Sequence, residues 1–119
     1  MRPHHDLRVW QDAMELVLKV YSVTGVFPVD ERFGLTSQVR RASVSVPSNI
    51  AEGAARGSRK EFIHFLTIAR GSLSELDTQL RIARSLEFAT DIDGLIADVE
   101  RLQAAMGSLI KSQRDRLTE

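Results

Sequence analysis

The stretch from residue 58 to residue 86, SRKEFIHFLTIARGSLSELDTQLRIARSL, places an apolar residue at alternating steps of four and three. The apolar positions are Phe62, Leu66, Ala69, Leu73, Leu76, Leu80 and Ala83. Such a heptad spacing is typical of α-helices that pack at shallow angles. Ser58 and Glu61 have the spacing of a capping box, which marks a helix start. The stretch therefore predicts a helix over residues 58–86, about 40 Å long at ~1.5 Å per residue.

Three further segments show a helical period, over residues 7–24, 31–55 and 92–114. Their apolar positions continue the seam at Leu35, Val39, Ala42, Val46 and Ile50, and at Ile92, Leu95, Val99, Leu102, Met106 and Leu109. Asp91 is the expected N-cap of the last helix. Pro47 removes a backbone hydrogen bond inside the second helix and predicts a kink there, with Ser43 partly satisfying the freed carbonyls. Short connections favour antiparallel neighbours. The prediction is one all-α domain over residues 1–119, an up-down-up-down four-helix bundle.

The first helix differs from the others because it has two apolar stripes. One stripe is Leu7, Trp10, Met14, Val17 and Tyr21, and the other is Val9, Ala13, Leu16, Val20 and Val23. A surface helix of a monomer needs only one such stripe. The second stripe therefore predicts a homo-oligomer, with an interface assigned to Val9, Leu16, Val20 and Val23.

Composition excludes several classes of function. The chain of 119 residues has no cysteine, which excludes disulfides and thiolate chemistry. Its 16 basic and 16 acidic residues give zero formal net charge, whereas a dedicated nucleic-acid binder usually has a basic excess. No apolar run is long enough to span a membrane, and no signal peptide is recognisable. We expect a cytoplasmic protein without membrane contact.

Cationic residues are nevertheless concentrated in one part of the chain. Residues 31–60 contain six basic and two acidic residues, and arginine, whose planar guanidinium suits phosphate recognition, outnumbers lysine there. We predict a surface on the second and third helices that binds RNA, DNA or a partner protein. Its candidate residues are Arg40, Arg41, Arg56, Arg59, Lys60, Arg70, Arg81 and Arg84. The alternative is a purely structural, scaffolding oligomer in which these arginines are all held in ion pairs.

A line of polar residues runs along the second helix. It comprises Gln38, Arg41, Ser45, Asn49 and Glu52. In a monomer this line is a solvated face. In an oligomer it lines a pore or an interface, where buried polar groups must find partners.

Two short motifs bear on catalysis. Glu61 and His64 form one E-x-x-H, whereas di-metal helical bundles use two such motifs with further glutamates, so we predict no metal and no cofactor. Arg59 and His64 also form an R-x4-H, which resembles the catalytic motif of HEPN ribonucleases. That resemblance leaves a ribonuclease as the alternative to a protein that is not an enzyme.

Several stretches together resemble a known family. They are residues 6–11 (DLRVWQ), Phe27-Pro28, residues 35–42 (LTSQVRRA), residues 44–53 (VSVPSNIAEG) and residues 68–76 (IARGSLSEL). In this order they resemble the 23S rRNA intervening-sequence protein family of bacterial four-helix bundles. The resemblance implies a ring-shaped homopentamer, and some members are encoded within insertions in large-subunit ribosomal RNA genes. The accessory protein of diversity-generating retroelements is similar in fold and is a basic pentamer that binds nucleic acid.

Overall fold

The computed structural model describes residues 3–118, with side chains from residue 4 onward. Its four α-helices are α1, Arg8–Thr24; α2, Leu35–Ala54; α3, Arg59–Ser85; and α4, Ile92–Leu117. Short 3-10 turns occupy Pro3–Asp6 and Val29–Glu31. The chain runs up, down, up and down, and each helix packs on the two helices beside it, with α4 closing against α1. The predicted four-helix bundle is confirmed, and it measures 50 × 23 × 20 Å.

The heptad seams form the core. Leu66, Leu73, Leu76 and Leu80 of α3 are fully buried, as is Met106 of α4. Apolar burial of this kind is the main stabilising contribution in a bundle. None of the described helices is long and apolar enough to cross a lipid bilayer.

The helix starts show where local sequence rules hold and where they fail. Ser58 Oγ accepts a hydrogen bond from the Glu61 backbone N–H at 3.1 Å, which confirms the Ser58 half of the predicted capping box, while the Glu61 side chain makes no return bond to the Ser58 N–H. Asp91 stands at the N-cap position of α4, but its side chain makes no cap hydrogen bond. α2 begins at Leu35 rather than at residue 31, because the backbone turns at Gly34 and Glu31 Oε1 accepts the Leu35 N–H at 3.1 Å.

Pro47 lies inside a continuous α2 and is buried. Ser43 Oγ donates to the Arg40 carbonyl at 2.8 Å, and not to the carbonyl that Pro47 leaves free. Ser48 Oγ and Asn49 Nδ2 donate to the carbonyls of Val44 and Ser45 respectively, both at 2.8 Å. These bonds hold hydroxyl and amide groups against the helix backbone on both sides of the proline. The kink at Pro47 stays a prediction.

At Gly53, α2 and α3 approach each other closely. A Cβ added there would lie 2.7 Å from Phe65 Cβ and 3.3 Å from Phe62 Cδ1. These distances are shorter than ordinary carbon contacts, so only glycine fits without moving one helix. Gly53 thereby fixes the spacing of the two helices at the end of the bundle where their connecting turn lies.

The stripe of α1 that was expected to form an oligomer interface lies in the core of the single chain instead. Val9, Leu16 and Val20 are buried in the core of the single chain, and Val23 is half-buried. They therefore pack within one chain and do not form an outward interface. The exposed apolar residues of α1 are Met14, Leu18 and Tyr21, with exposed fractions of 42%, 71% and 44%. If α1 contacts a second copy, it does so through this outer surface.

Candidate nucleic-acid interface

The eight predicted cationic residues do not share one surface. Arg40 turns toward α1, where its Nε donates to Thr24 Oγ1 at 2.9 Å and its Cζ lies 4.5 Å from the centre of the Tyr21 ring. Arg56 is paired with Glu52 at 2.6 Å and stacks over Phe65. Both guanidinium groups are thus engaged within the chain.

Two more of the predicted residues are held by carboxylates. Arg81 contacts Asp77 at 3.0 Å and Glu100 at 2.9 Å, and Arg84 contacts Asp93 at 3.1 Å. The hydrogen bond with Asp77, followed by the charge of that carboxylate, raises the pKa of the Arg81 guanidinium above its ordinary value. These neighbouring negative charges offset the field that Arg81 and Arg84 would present to a phosphate.

Arg59 and Arg70 have neutral partners instead. Arg59, Arg70 and Arg81 are eleven residues apart on α3, close to three full turns, so they form a row that faces α4. Arg59 Nη1 donates to Gln113 Oε1 at 2.6 Å, and Arg70 Nε donates to Gln103 Oε1 at 3.2 Å. A glutamine amide orients a guanidinium without neutralising it. The row therefore changes from paired to unneutralised arginines along the bundle, so these arginines are not all ion-paired within the described part of the single chain.

We call the end of the bundle formed by residues 52–61 and 111–116 the cationic end. These segments contain six cations and three carboxylates. Leu7, Gly53, Arg59 and Gln113 line one cleft there, which shows that the start of α1, the end of α2, the start of α3 and the end of α4 lie together. Among the described residues Lys60, Arg114 and Arg116 have no ion pair, whereas Lys111 contacts Asp115 at 3.1 Å.

Sequence reasoning missed the contribution of α4 to this end. Lys111, Arg114 and Arg116 lie in a segment that is acidic on average, so they did not stand out as part of a basic zone. The predicted topology was sufficient to find this contribution, because an antiparallel α4 must bring its last turns beside the first turn of α3.

The opposite end, formed by residues 30–32 and 84–93, is the anionic end. It contains five carboxylates and two cations. Phe27 and Phe88 contact each other with ring centres 5.6 Å apart, so the two loops of this end meet. The zero net charge of the chain thus conceals opposite excesses of three charges at its two ends.

Arg41 lies apart from both ends, in the α2–α3 cleft. This cleft has a volume of about 560 Å³. Its lining residues are Phe33, Ser37, Gln38, Arg41, Ala42, Ser45, Glu75 and Gln79. Part of the predicted polar line of α2 therefore faces α3. Ser45 Oγ and Ser72 Oγ are 2.8 Å apart, and Asn49 Nδ2 donates to Ser45 Oγ at 3.0 Å.

The catalytic motifs do not assemble within the chain. Arg59 reaches α4, whereas His64 is exposed and its ring packs edge-on against Phe65 at 5.3 Å between centres. Five residues separate them, which places them about 140° apart around α3. Within residues 3–118 no group of three or more His, Asp or Glu side chains is arranged to hold a metal ion.

Comparison with known proteins places the chain in a family. Residues 5–108 match the family model described as 23S rRNA-intervening sequence protein. The chain belongs to this family. A solved structure with the same fold is that of a protein with unknown function from the S23 ribosomal protein family of Bacteroides thetaiotaomicron VPI-5482. It is 25% identical, has a TM-score of 0.79, and the match covers 87% of this chain and 98% of the other. No curated protein matches the sequence.

Membership of the 23S rRNA-intervening sequence protein family confirms the resemblance seen in the sequence. The stretch at residues 44–53, which carried much of that resemblance, has packing roles in this fold. Ser45 and Asn49 form the polar bridge to α3, and Gly53 sets the distance between α2 and α3. The stretch therefore contributes to the packing of α2 against α3.

Proposed function

We propose that this protein is a non-enzymatic, oligomeric RNA-binding protein that holds the phosphate backbone with its cationic end. The observation that carries the proposal is the set of unneutralised cations there. Arg59 is hydrogen-bonded to a glutamine, and Lys60, Arg114 and Arg116 have no ion pair among residues 3–118. Binding a phosphate at these groups displaces no carboxylate, which makes them better suited to it than Arg81 or Arg84.

The position of a helix N-terminus also supports phosphate binding at the cationic end. Ser58 caps α3, and the N-terminus of this 27-residue helix adds a partial positive charge beside Arg59 and Lys60. Arg70 extends the row along α3, and its guanidinium also has a neutral partner. A phosphate backbone would therefore run from the first turn of α3 toward Arg70.

RNA is the favoured nucleic acid because the family description names an intervening sequence of 23S rRNA. The fold and the charge pattern fit a protein that binds RNA without catalysing a reaction on it. Arg59 and His64 point to different sides of α3, so a ribonuclease would need residues from separate subunits.

The test is RNA binding by a variant that removes three of these cations, Arg59→Gln with Lys60→Gln and Arg114→Gln. Counterion release predicts that the affinity of the unmodified protein falls steeply between about 50 mM and about 200 mM salt. For the variant, the slope of log affinity against log salt should be shallower by about 0.7–0.9 for each phosphate contact removed.

A matched control removes three ion-paired cations outside the cationic end, Arg81→Gln with Arg84→Gln and Arg101→Gln. It changes the net charge equally. We expect the control to retain most of its affinity. Equal weakening of both variants, or no binding by the unmodified protein at low salt, would overturn the proposal.

The oligomeric part of the proposal uses the outer surface of α1. Met14, Leu18 and Tyr21 are exposed at steps of four and three residues, and Val44 of the neighbouring α2 is 40% exposed. A row of exposed apolar side chains at this spacing matches the face that helices use to pack on one another. A second copy of this chain is the proposed occupant, in a homopentamer as the resemblance implies.

A further inference from the structure

A buried amide group in the α2–α3 cleft has no partner. Gln79 is only 8% exposed, and within the described chain its Oε1 accepts no hydrogen bond. Leaving a buried acceptor unpaired costs free energy, so such groups are rare in folded proteins. Gln79 lines an open cleft, and because Oε1 itself is closed off from solvent, its amide must rotate for a ligand bound in the cleft to supply the missing donor.

Two side chains of opposite charge flank this amide and form no ion pair with each other. Glu75 lies one turn before Gln79 on α3, and Arg41 faces it from α2. Among residues 3–118 neither side chain has an ion pair, so the carboxylate and the guanidinium lie too far apart to neutralise each other. The cleft thus offers acceptors on the α3 side and donors on the α2 side, with space between them.

An aromatic face completes the cleft. Phe33 lines the cleft and is 86% exposed. The Cζ atom of Arg32 lies 4.8 Å from the centre of the Phe33 ring. An exposed phenylalanine beside a guanidinium is a surface on which a planar ring can stack. The expected ligand is therefore flat, with N–H donors on one edge and acceptors on another.

Among the four RNA bases, guanine has this combination. Its N1–H and N2–H₂ groups form adjacent donors that fit a carboxylate, and a further N2 hydrogen is available to an amide oxygen. Its O6 and N7 form adjacent acceptors that fit the fork of a guanidinium. Adenine, cytosine and uracil each lack either the paired donors or the paired acceptors.

We propose that the α2–α3 cleft binds an unstacked guanine base. Glu75 and Gln79 accept its N1–H and N2–H₂ groups, Arg41 donates to O6 and N7, and Phe33 stacks on the ring. The inference rests on the proposed RNA binding, since an RNA strand is the source that brings the base to the protein. Gln79 is about 30 Å from Arg59 along α3, so base recognition and phosphate binding can be separated by experiment.

The first arm of the test compares RNA strands of about 12 nucleotides, within the usual size of a single-strand site. One strand carries guanines, a second carries inosine in their place and so lacks the N2 amine, and a third carries adenine. Fluorescence anisotropy should show a loss of roughly 5- to 150-fold from guanine to adenine and an intermediate affinity for inosine. Free guanosine monophosphate, measured in parallel by calorimetry, shows whether the base needs the strand.

The second arm uses Glu75→Gln, for which the two explanations predict opposite signs. Removing a carboxylate strengthens a purely electrostatic attachment to RNA. If Glu75 accepts hydrogen bonds from guanine, the same change lowers the affinity for the guanine strand. The affinity for the adenine strand then stays the same or rises slightly. Glu15→Gln, an equal charge change at an exposed position of α1, is the control and should preserve the preference for guanine.

The third arm uses Gln79→Met, which keeps the length of the side chain and removes the unpaired amide. The melting temperature should rise because the penalty of the buried polar atom is gone, while the preference for guanine over inosine falls. A preference for guanine that survives both Glu75→Gln and Gln79→Met would overturn the inference.

The remaining outcomes distinguish the two proposals. Salt-sensitive binding that is equal for guanine and adenine strands would leave the RNA-binding function standing and overturn the guanine site. Binding of guanosine monophosphate without binding of any strand would support the site and overturn the RNA-binding function. A fall in oligomer mass on Gln79→Met would assign the cleft to a second copy of the chain and overturn the guanine site.

Discussion

At the scale of single residues, Gly53 has the least space for a Cβ of the described glycines. A methyl group at this position would lie against Phe65 Cβ and Phe62 Cδ1, which belong to the facing helix. Gly53→Ala should therefore lower the free energy of unfolding by about 1–3 kcal/mol, because the clash outweighs the gain in helix propensity of up to about 1 kcal/mol. Urea denaturation followed by circular dichroism measures the difference.

Gly71→Ala is the control for that prediction. Gly71 also lies inside a helix, but a Cβ there would meet no atom within 4 Å apart from its chain neighbours and the backbone of its own helix. This variant should be more stable by about 0.5–1 kcal/mol through helix propensity alone. Stabilisation by both substitutions would show that α2 and α3 have room at Gly53.

What a sequence reveals about single residues depends on how local their interactions are. The Ser58 cap was predictable because Glu61, its partner, is three residues away. The partners of Arg40 and Arg59, by contrast, are Thr24 and Gln113, which are distant in sequence. An arginine that faces a glutamine and one that faces a glutamate are indistinguishable until the register of α3 against α4 is known.

At the scale of helices, the cap of α3 is separable from the packing of its seam. Ser58→Ala removes the acceptor for the Glu61 N–H without touching the core, because Ser58 is exposed. The free energy of unfolding should fall by about 1 kcal/mol. A thermal melt of a bundle of this size should shift down by about 4 °C per kcal/mol.

Ser112→Ala provides the comparison for the cap. Ser112 is exposed within α4, where alanine is the better helix former, so this change should stabilise the protein by a few tenths of a kcal/mol. Equal effects of the two serine substitutions would argue against a capping role for Ser58.

The buried face of a helix was predictable where only one face is apolar, and it was ambiguous where two faces are apolar. The seams of α3 and α4 correctly identified buried residues such as Leu73 and Val99, because their opposite faces are polar. On α1 the stripes were equally apolar, and nothing local determines which one meets the core. The structure places Leu16 inside and Met14 outside, because α1 packs between α2 and α4.

At the scale of the whole molecule, the outer surface of α1 carries the prediction of self-association. Leu18 is 71% exposed and contributes little to the core, so Leu18→Glu should change the stability of a single chain by no more than about 0.5 kcal/mol. In an oligomer that buries Leu18, the same change places a charge in an apolar contact. Light scattering should then give a mass of 13.3 kDa for the variant and a multiple of it for the unmodified protein.

Lys19→Gln changes the net charge by the same amount at an exposed position about 100° around α1 from Leu18, and it should leave the assembly intact. A mass of 13.3 kDa for the unmodified protein would contradict the prediction outright. Dissociation caused equally by both variants would indicate that charge on α1, and not burial of Leu18, controls association.

The candidate interface is a property of the whole fold, and for this reason the sequence predicted it only in part. Arg56, Arg59 and Lys60 are adjacent in sequence and were found as a basic zone. Lys111 and Arg114 join them only because the chain reverses direction three times. Arg81 and Arg84 were included in the prediction, and the structure pairs them with carboxylates.

The separation of charge between the two ends gives the protein a direction. A molecule 50 Å long, with zero net charge and opposite excesses at its ends, has an electric dipole moment along its axis. A uniform field turns such a molecule without pulling it, and the uneven field near a polyanion both turns it and draws it in. In a closed ring whose bundles stand parallel to the symmetry axis, these moments add. Such a ring has a front that approaches a polyanion and a back that avoids it.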